Sequence, residues 1–125
     1  MRNLVGTWRI TAPQSEGNPV AFEARHTFFA DGNWVDVNTV KETNHGVWMG
    51  SGNTYLLTFE GYTFDEQSQH NGKSQVRASI KMDGADHLTA QWSLDLIDLE
   101  GKVTEKAYYG TFEGTRMEIE LPETL

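Results

Sequence analysis

The chain has 125 residues, with 10 Lys plus Arg against 18 Asp plus Glu and a formal charge of −8. That length suits one hydrophobic core, so residues 1–125 are expected to form a single domain. The acidic balance argues against nucleic acid and anionic membrane surfaces as partners, and the absence of cysteine removes disulfides, thiol nucleophiles, Fe–S clusters and cysteine-held zinc.

The opening Met1 to Gly6 has no apolar leader core, and no run approaches the ~20 apolar residues of a spanning helix. The expectation is a soluble, cytoplasmic protein. Glycine is frequent (12) and proline rare (3), and the glycines separate runs rich in Thr, Val, Phe, Tyr and Trp. A first strand over 4–12 ends at the turn Pro13 to Asn18, and a second over 19–30 ends at Asp31-Gly32. Strands over 33–41 and 45–50 flank Glu42 to Asn44, and Gly50-Ser51-Gly52 leads into a strand over 53–64. The polar stretch Asp65 to Gly72 precedes a strand over 73–83, whose Ser74, Val76, Ala78, Ile80 and Met82 alternate with polar residues. After Asp83 to Asp86 comes 87–98, with Leu88, Ala90, Trp92, Leu94 and Leu96 on one face, and Leu99 to Gly101 leads into 102–117. The tail to Leu125 is short and holds Pro122, so no helix is expected there.

An open sheet of so many long strands leaves an apolar face and two edges exposed, and closure removes the edges. The expected fold is therefore all-β, an antiparallel up-and-down eight-stranded β-barrel, whose interior is either filled or holds one small ligand. The hairpin at Asp31-Gly32 sets a register. A type I turn with Gly32 in a left-handed bulge pairs Phe28 with Trp34, His26 with Asp36 and Ala24 with Asn38, whereas a two-residue turn sets His26 against Val37. The bulge is preferred because it sends Phe22, Phe28 and Trp34 inward and Glu23 and Arg25 outward. The hairpin Asp98 to Lys102 has the same grammar and places Lys106 opposite Leu94, on an inward face with Tyr108, Gly110, Phe112 and Arg116.

Gly6-Thr7-Trp8 opens the first strand, and Arg116 follows Gly110, Gly114 and Thr115 near the end of the last. This pattern resembles the lipocalins and the wider calycin group, in which a Gly-x-Trp packs beneath a late arginine at the closed end of the barrel. The resemblance implies a lipocalin-like barrel with Trp8 and Arg116 as its structural floor and a mouth at the opposite end. The middle-loop Thr-Asp-Tyr signature, the disulfide and the C-terminal helix of that family are missing, which favours an intracellular variant over a secreted carrier.

The cavity is expected to be walled by Phe22, Trp34, Tyr55, Phe59, Val76, Ile80, Trp92 and Tyr108, with His26, Asp36, Asn38 and Lys106 as its polar groups. The expected function is binding of one small apolar or amphipathic molecule, by a monomer or homodimer without a cofactor or metal. One alternative is a cyclase or isomerase in which His26 and Asp36 supply acid/base chemistry. Another is a filled scaffold that meets a protein partner through Phe29, Tyr62 or Phe64. Gly46 to Gly52 resembles the Gly-rich motif of nitrobindin-type haem barrels, but no histidine follows His87, and strand, tight turn, strand is the reading preferred there. His45 and His70 lack a third ligand for a metal.

Overall fold

The computed structural model describes residues 3–123. Met1 and Arg2, on which the expectation of no apolar leader partly falls, and Thr124 and Leu125, on which the expectation of no C-terminal helix partly falls, lie outside the described residues. The strands are β1 (Gly6–Ala12), β2 (Phe22–Phe28), β3 (Asn33–Asn38), β4 (Thr43–Ser51), β5 (Thr54–Phe64), β6 (His70–Met82), β7 (His87–Asp98) and β8 (Val103–Arg116). Each pairs antiparallel with its neighbour in sequence, and β1 pairs with β8 from Trp8↔Arg116 to Thr11↔Glu113, closing the barrel.

Some strands are shorter or longer than their sequence pattern suggests, for local reasons. β2 starts at Phe22 rather than 19 because Ser15 and Asn18 exchange two backbone hydrogen bonds in a turn, and Pro19 has no N–H to give a ladder. β3 stops at Asn38 rather than 41 because the Asn38 Oδ1 accepts the N–H groups of Val40 and Glu42, with Lys41 at φ 66°. That turn lets β4 begin early, at Thr43. β6 likewise begins at His70, inside the stretch expected to be loop.

The Asp31-Gly32 hairpin has the bulged form. Phe29 N–H donates to Asn33 O (2.9 Å), Gly32 N–H donates to Phe29 O (3.1 Å), and Gly32 sits at φ 92°, where a Cβ is disfavoured. The ladder beyond it pairs Phe28 with Trp34, His26 with Asp36 and Ala24 with Asn38. The Asp98 to Lys102 hairpin repeats this pattern, with Gly101 at φ 86°.

From that second hairpin, however, the register changes. Leu96 pairs with Thr104, but Leu94 pairs with Tyr108, so Glu105, Lys106 and Ala107 bulge opposite Asp95. The Asp95 carboxylate, little exposed, accepts the Lys106 N–H through Oδ1 (2.8 Å), and Lys106 takes φ 49°. The expected inward Lys106 is thus corrected: it is exposed, and its ammonium lies over the Tyr109 ring, 4.8 Å from the centroid.

The interior is layered. At the closed end the Arg116 guanidinium stacks on Trp8 (4.4 Å) and donates to the carbonyls of Asn3 (2.7 Å), Val5 (2.7 Å) and Ala85 (2.8 Å). Trp8 in turn donates its indole N–H to Leu4 O (2.9 Å). Above this floor, Ile10, Phe28, Trp34, Tyr55, Leu57, Ile80, Met82 and Leu88 are essentially fully buried and fill the lower barrel. A polar layer comes next, made of buried His26, Asp36, Asn44 and Ser74. The connections β1–β2, β3–β4, β5–β6 and β7–β8 lie at the end opposite Trp8 and Arg116, as the up-and-down order requires.

Candidate functional site

Above the polar layer the barrel opens into a cavity of about 210 Å³. Strand alternation supplies its walls: Phe22 from β2, Phe59 from β5, Val76 from β6, Trp92 and Leu94 from β7, and Tyr108 and Phe112 from β8. Its rim is Asn18, Pro19, Val20 and Val40. The segment before Asn18 is tied down, since Gly17 O accepts the Tyr109 N–H (3.0 Å) and Asn18 donates its amide to Pro13 O (2.9 Å). A larger concavity of about 1010 Å³ is bordered by exposed Thr11, Glu23, Ser79, Lys81, Gln91 and Glu113 and has no buried polar group, so it lacks the make-up of a site.

At the base of the cavity Asp36 is the centre of a hydrogen-bond network. Its Oδ2 accepts the side-chain amides of Asn44 (2.7 Å) and Asn38 (2.9 Å). Its Oδ1 lies 3.5 Å from His26 Nε2, long for a hydrogen bond, and has no hydrogen-bond partner. His26 Nδ1 and Asn44 Oδ1 are also buried without a hydrogen-bond partner. The Asn44 carbonyl lies against Gly61, where any side chain would collide with it. Glu42 lines the cavity from the β3–β4 turn.

Burial governs the ionisation of all three titratable groups. His26 is packed edge-on against Trp34 (4.8 Å between centroids), Phe112 (5.3 Å) and Phe28 (6.4 Å), and desolvation pulls its pKa down to about 3. Desolvation pushes Asp36 up, against the opposing pull of the Asn44 and Asn38 amides. Glu42 is pushed up by burial and then by the Asp36 charge. At neutral pH the imidazole is therefore neutral, offering one N–H and one lone pair.

No family model, curated protein or solved structure matches the chain. What the site can do must be read from its own geometry.

Of the residues expected here from sequence, Phe22, His26, Asp36, Asn38, Phe59, Val76, Trp92 and Tyr108 come together around the cavity. Trp34, Tyr55 and Ile80 do not line it. They are inward but lower, in the filled part: Trp34 packs between His26 (4.8 Å) and Phe59 (4.4 Å), and Tyr55 donates its hydroxyl to Gly52 O (2.7 Å). Lys106 is outside, displaced by the β8 bulge. The residues that sequence reasoning missed are Glu42 and Asn44, which it left in a turn. Asn38 held the available signal, because a strand-ending Asn that caps its own turn fixes where β4 starts, and β4 then sets Asn44 opposite Asp36.

Gly46 to Gly52 forms most of β4 and the turn into β5, with the Trp48 indole donating to Phe29 O (3.0 Å) on the closed side of the barrel. His45 is exposed, and His70 packs on Tyr62 (5.3 Å) and Phe64 (6.0 Å). Among the described residues no three His, Asp or Glu side chains are grouped to hold a metal.

Proposed function

We propose that this barrel is a lipocalin-like binding protein that holds one small amphipathic molecule in its upper half. The observation that carries the reading is an apolar-walled cavity over a buried polar base whose hydrogen-bonding atoms are incompletely paired. A buried polar atom without a partner costs about 1–3 kcal/mol, and a ligand that supplies the missing bond recovers that loss on binding. At about 210 Å³ the cavity is smaller than the ~300–1,000 Å³ of drug-sized sites, which points to a compact ligand. The Trp8–Arg116 plug supports the calycin comparison, since it closes the end opposite the cavity.

Acid/base catalysis by His26 is the less favoured reading. A general base works best with a pKa near the operating pH, and burial has pulled His26 down to about 3. Such a nitrogen is a good hydrogen-bond acceptor and a poor proton acceptor.

Native mass spectrometry of the full chain, followed by denaturation and mass analysis of released material, tests the proposal, with tryptophan fluorescence titration of compact ligands alongside. Trp92 lines the cavity and Trp34 packs beneath it, so saturable quenching is expected. A chain that carries nothing and responds to no compact ligand is a filled scaffold instead.

A further inference from the structure

The chemistry at the base of the cavity selects among small amphipathic molecules, and the inference that follows rests on reading the cavity as a ligand site. Among the residues that line it, the charged ones are Asp36 and Glu42, both carboxylates, and there is no Lys or Arg. The cation that the sequence pattern offered, Lys106, is held outside by the β8 bulge.

Asp36 lines the base of the cavity, is 3% exposed, and its buried Oδ1 has no hydrogen-bond partner. The two amides on Oδ2 fix the carboxylate's orientation and leave Oδ1 without a hydrogen bond, its nearest polar neighbour being His26 Nε2 at 3.5 Å. With the imidazole proton on Nε2, the nitrogen nearer Asp36, the other unpaired atom of His26 is a lone pair on Nδ1. Asn44 Oδ1 is an acceptor as well. With that tautomer the unpaired polar atoms of the lining residues are acceptors, and the unpaired donor beside them, Trp34 Nε1, belongs to the packed layer beneath the cavity.

We propose that the ligand is a small organic cation, an ammonium group on a compact apolar body, whose N–H groups donate to Asp36 Oδ1 with Glu42 as the second carboxylate. An ammonium has three donors and no acceptor, which matches a base rich in unpaired acceptors. It also neutralises a buried carboxylate that has no cationic partner in the cavity, a costly arrangement when left alone. The faces of Phe22, Phe59, Trp92 and Phe112 around it are compatible with a cation. An anionic ligand would meet two carboxylates and no donor charge.

The test uses the full chain and three probes with one apolar body and different heads: 2-phenylethylammonium, 2-phenylethanol and phenylacetate. Binding is followed by tryptophan fluorescence and by the shift in thermal midpoint. The ammonium should bind about tenfold or more tighter than the alcohol, the scale of one charge-assisted hydrogen bond, with phenylacetate weakest. Asp36→Asn should erase the preference for ammonium over alcohol while keeping alcohol binding. Glu42→Gln, a near-isosteric change at a partly exposed position, should weaken the ammonium alone and serves if Asp36→Asn does not fold. Equal affinity for ammonium and alcohol, or tightest binding of phenylacetate, would overturn the cation while leaving the cavity as a binding site. No response to any of the three by the folded protein would overturn both.

Discussion

Across the β2–β3 ladder, His26 Nε2 stands 3.5 Å from Asp36 Oδ1, and both side chains are almost fully buried. Burial moves the two groups in opposite directions, His26 down to about 3 and Asp36 up, so that each is less charged than it would be in water.

A prediction about acid stability follows from His26. Its folded pKa lies below its unfolded value near 6.5, so between about 6.5 and 3 the unfolded chain binds more protons and folding weakens as pH falls. The loss is of order 5 kcal/mol at most if the whole interval is traversed. Asp36 and Glu42, raised in the fold, act in the opposite sense because the folded state holds their protons more tightly. His26, the most deeply desolvated, should dominate. Thermal midpoints from pH 7 to pH 4 should fall in the parent and fall less steeply in His26→Gln; parallel slopes would assign the acid sensitivity elsewhere.

The Asp36 network depends on a residue that never touches Asp36. Gly61 leaves the space that the Asn44 carbonyl occupies, and Asn44 gives Asp36 its shorter hydrogen bond, 2.7 Å. Gly61→Ala should therefore push the amide off the carboxylate and cost about 1–3 kcal/mol, much as Asn44→Ala does. Because the two changes remove one interaction, the double variant should lose clearly less than the sum. Additive losses in urea midpoints would show that Gly61 acts by some other route.

How far the sequence discloses this site depends on which residues carry the register. Gly32 in its bulge and the alternation through Phe28, His26 and Ala24 are local signals, and they specify the His26–Asp36 pairing that the fold adopts. The alternation of β6 and β7 likewise places Val76 and Trp92 on the inner face. Depth along the barrel is a different matter. Tyr55 and Ile80 are inward as their period requires, but whether an inward residue meets the packed half or the cavity depends on stagger between strands that are distant in sequence. Lys106 failed for a further reason: its position depends on Asp95 capturing its N–H across the ladder, a tertiary contact that no periodicity encodes.

The floor should dominate stability. Trp8→Ala opens a cavity beneath Arg116 and is expected to cost about 3–5 kcal/mol. Arg116→Lys keeps the charge but not the planar set of donors that reaches the carbonyls of Asn3, Val5 and Ala85. Losing part of that set should cost about 1–3 kcal/mol, read as a lowered urea midpoint at an unchanged slope. An Arg116→Lys protein as stable as the parent would mean that charge over the Trp8 ring, and not the carbonyl contacts, closes this end.

Lys106 provides the sharpest check on the corrected geometry of β8. It is exposed, holds φ 49°, and contributes to Asp95 through its backbone N–H, not its side chain. A left-handed conformation costs a residue with a Cβ about 1–2 kcal/mol, so Lys106→Gly should stabilise the protein, by up to about 1 kcal/mol once the entropy of the unfolded glycine is counted. Asp95→Ala should act in the other direction. It removes the acceptor of the Lys106 N–H and the partner of Arg77, 2.5 Å away, which together hold the Asp95 carboxyl below its ordinary range. Ligand affinity, by contrast, should be the same in Lys106→Gly as in the parent, because the side chain lies on the outer wall. If Lys106→Gly instead destabilised the barrel and weakened binding, the lysine would be inward and the bulge misplaced, and an anionic ligand head would replace the ammonium as the group to test.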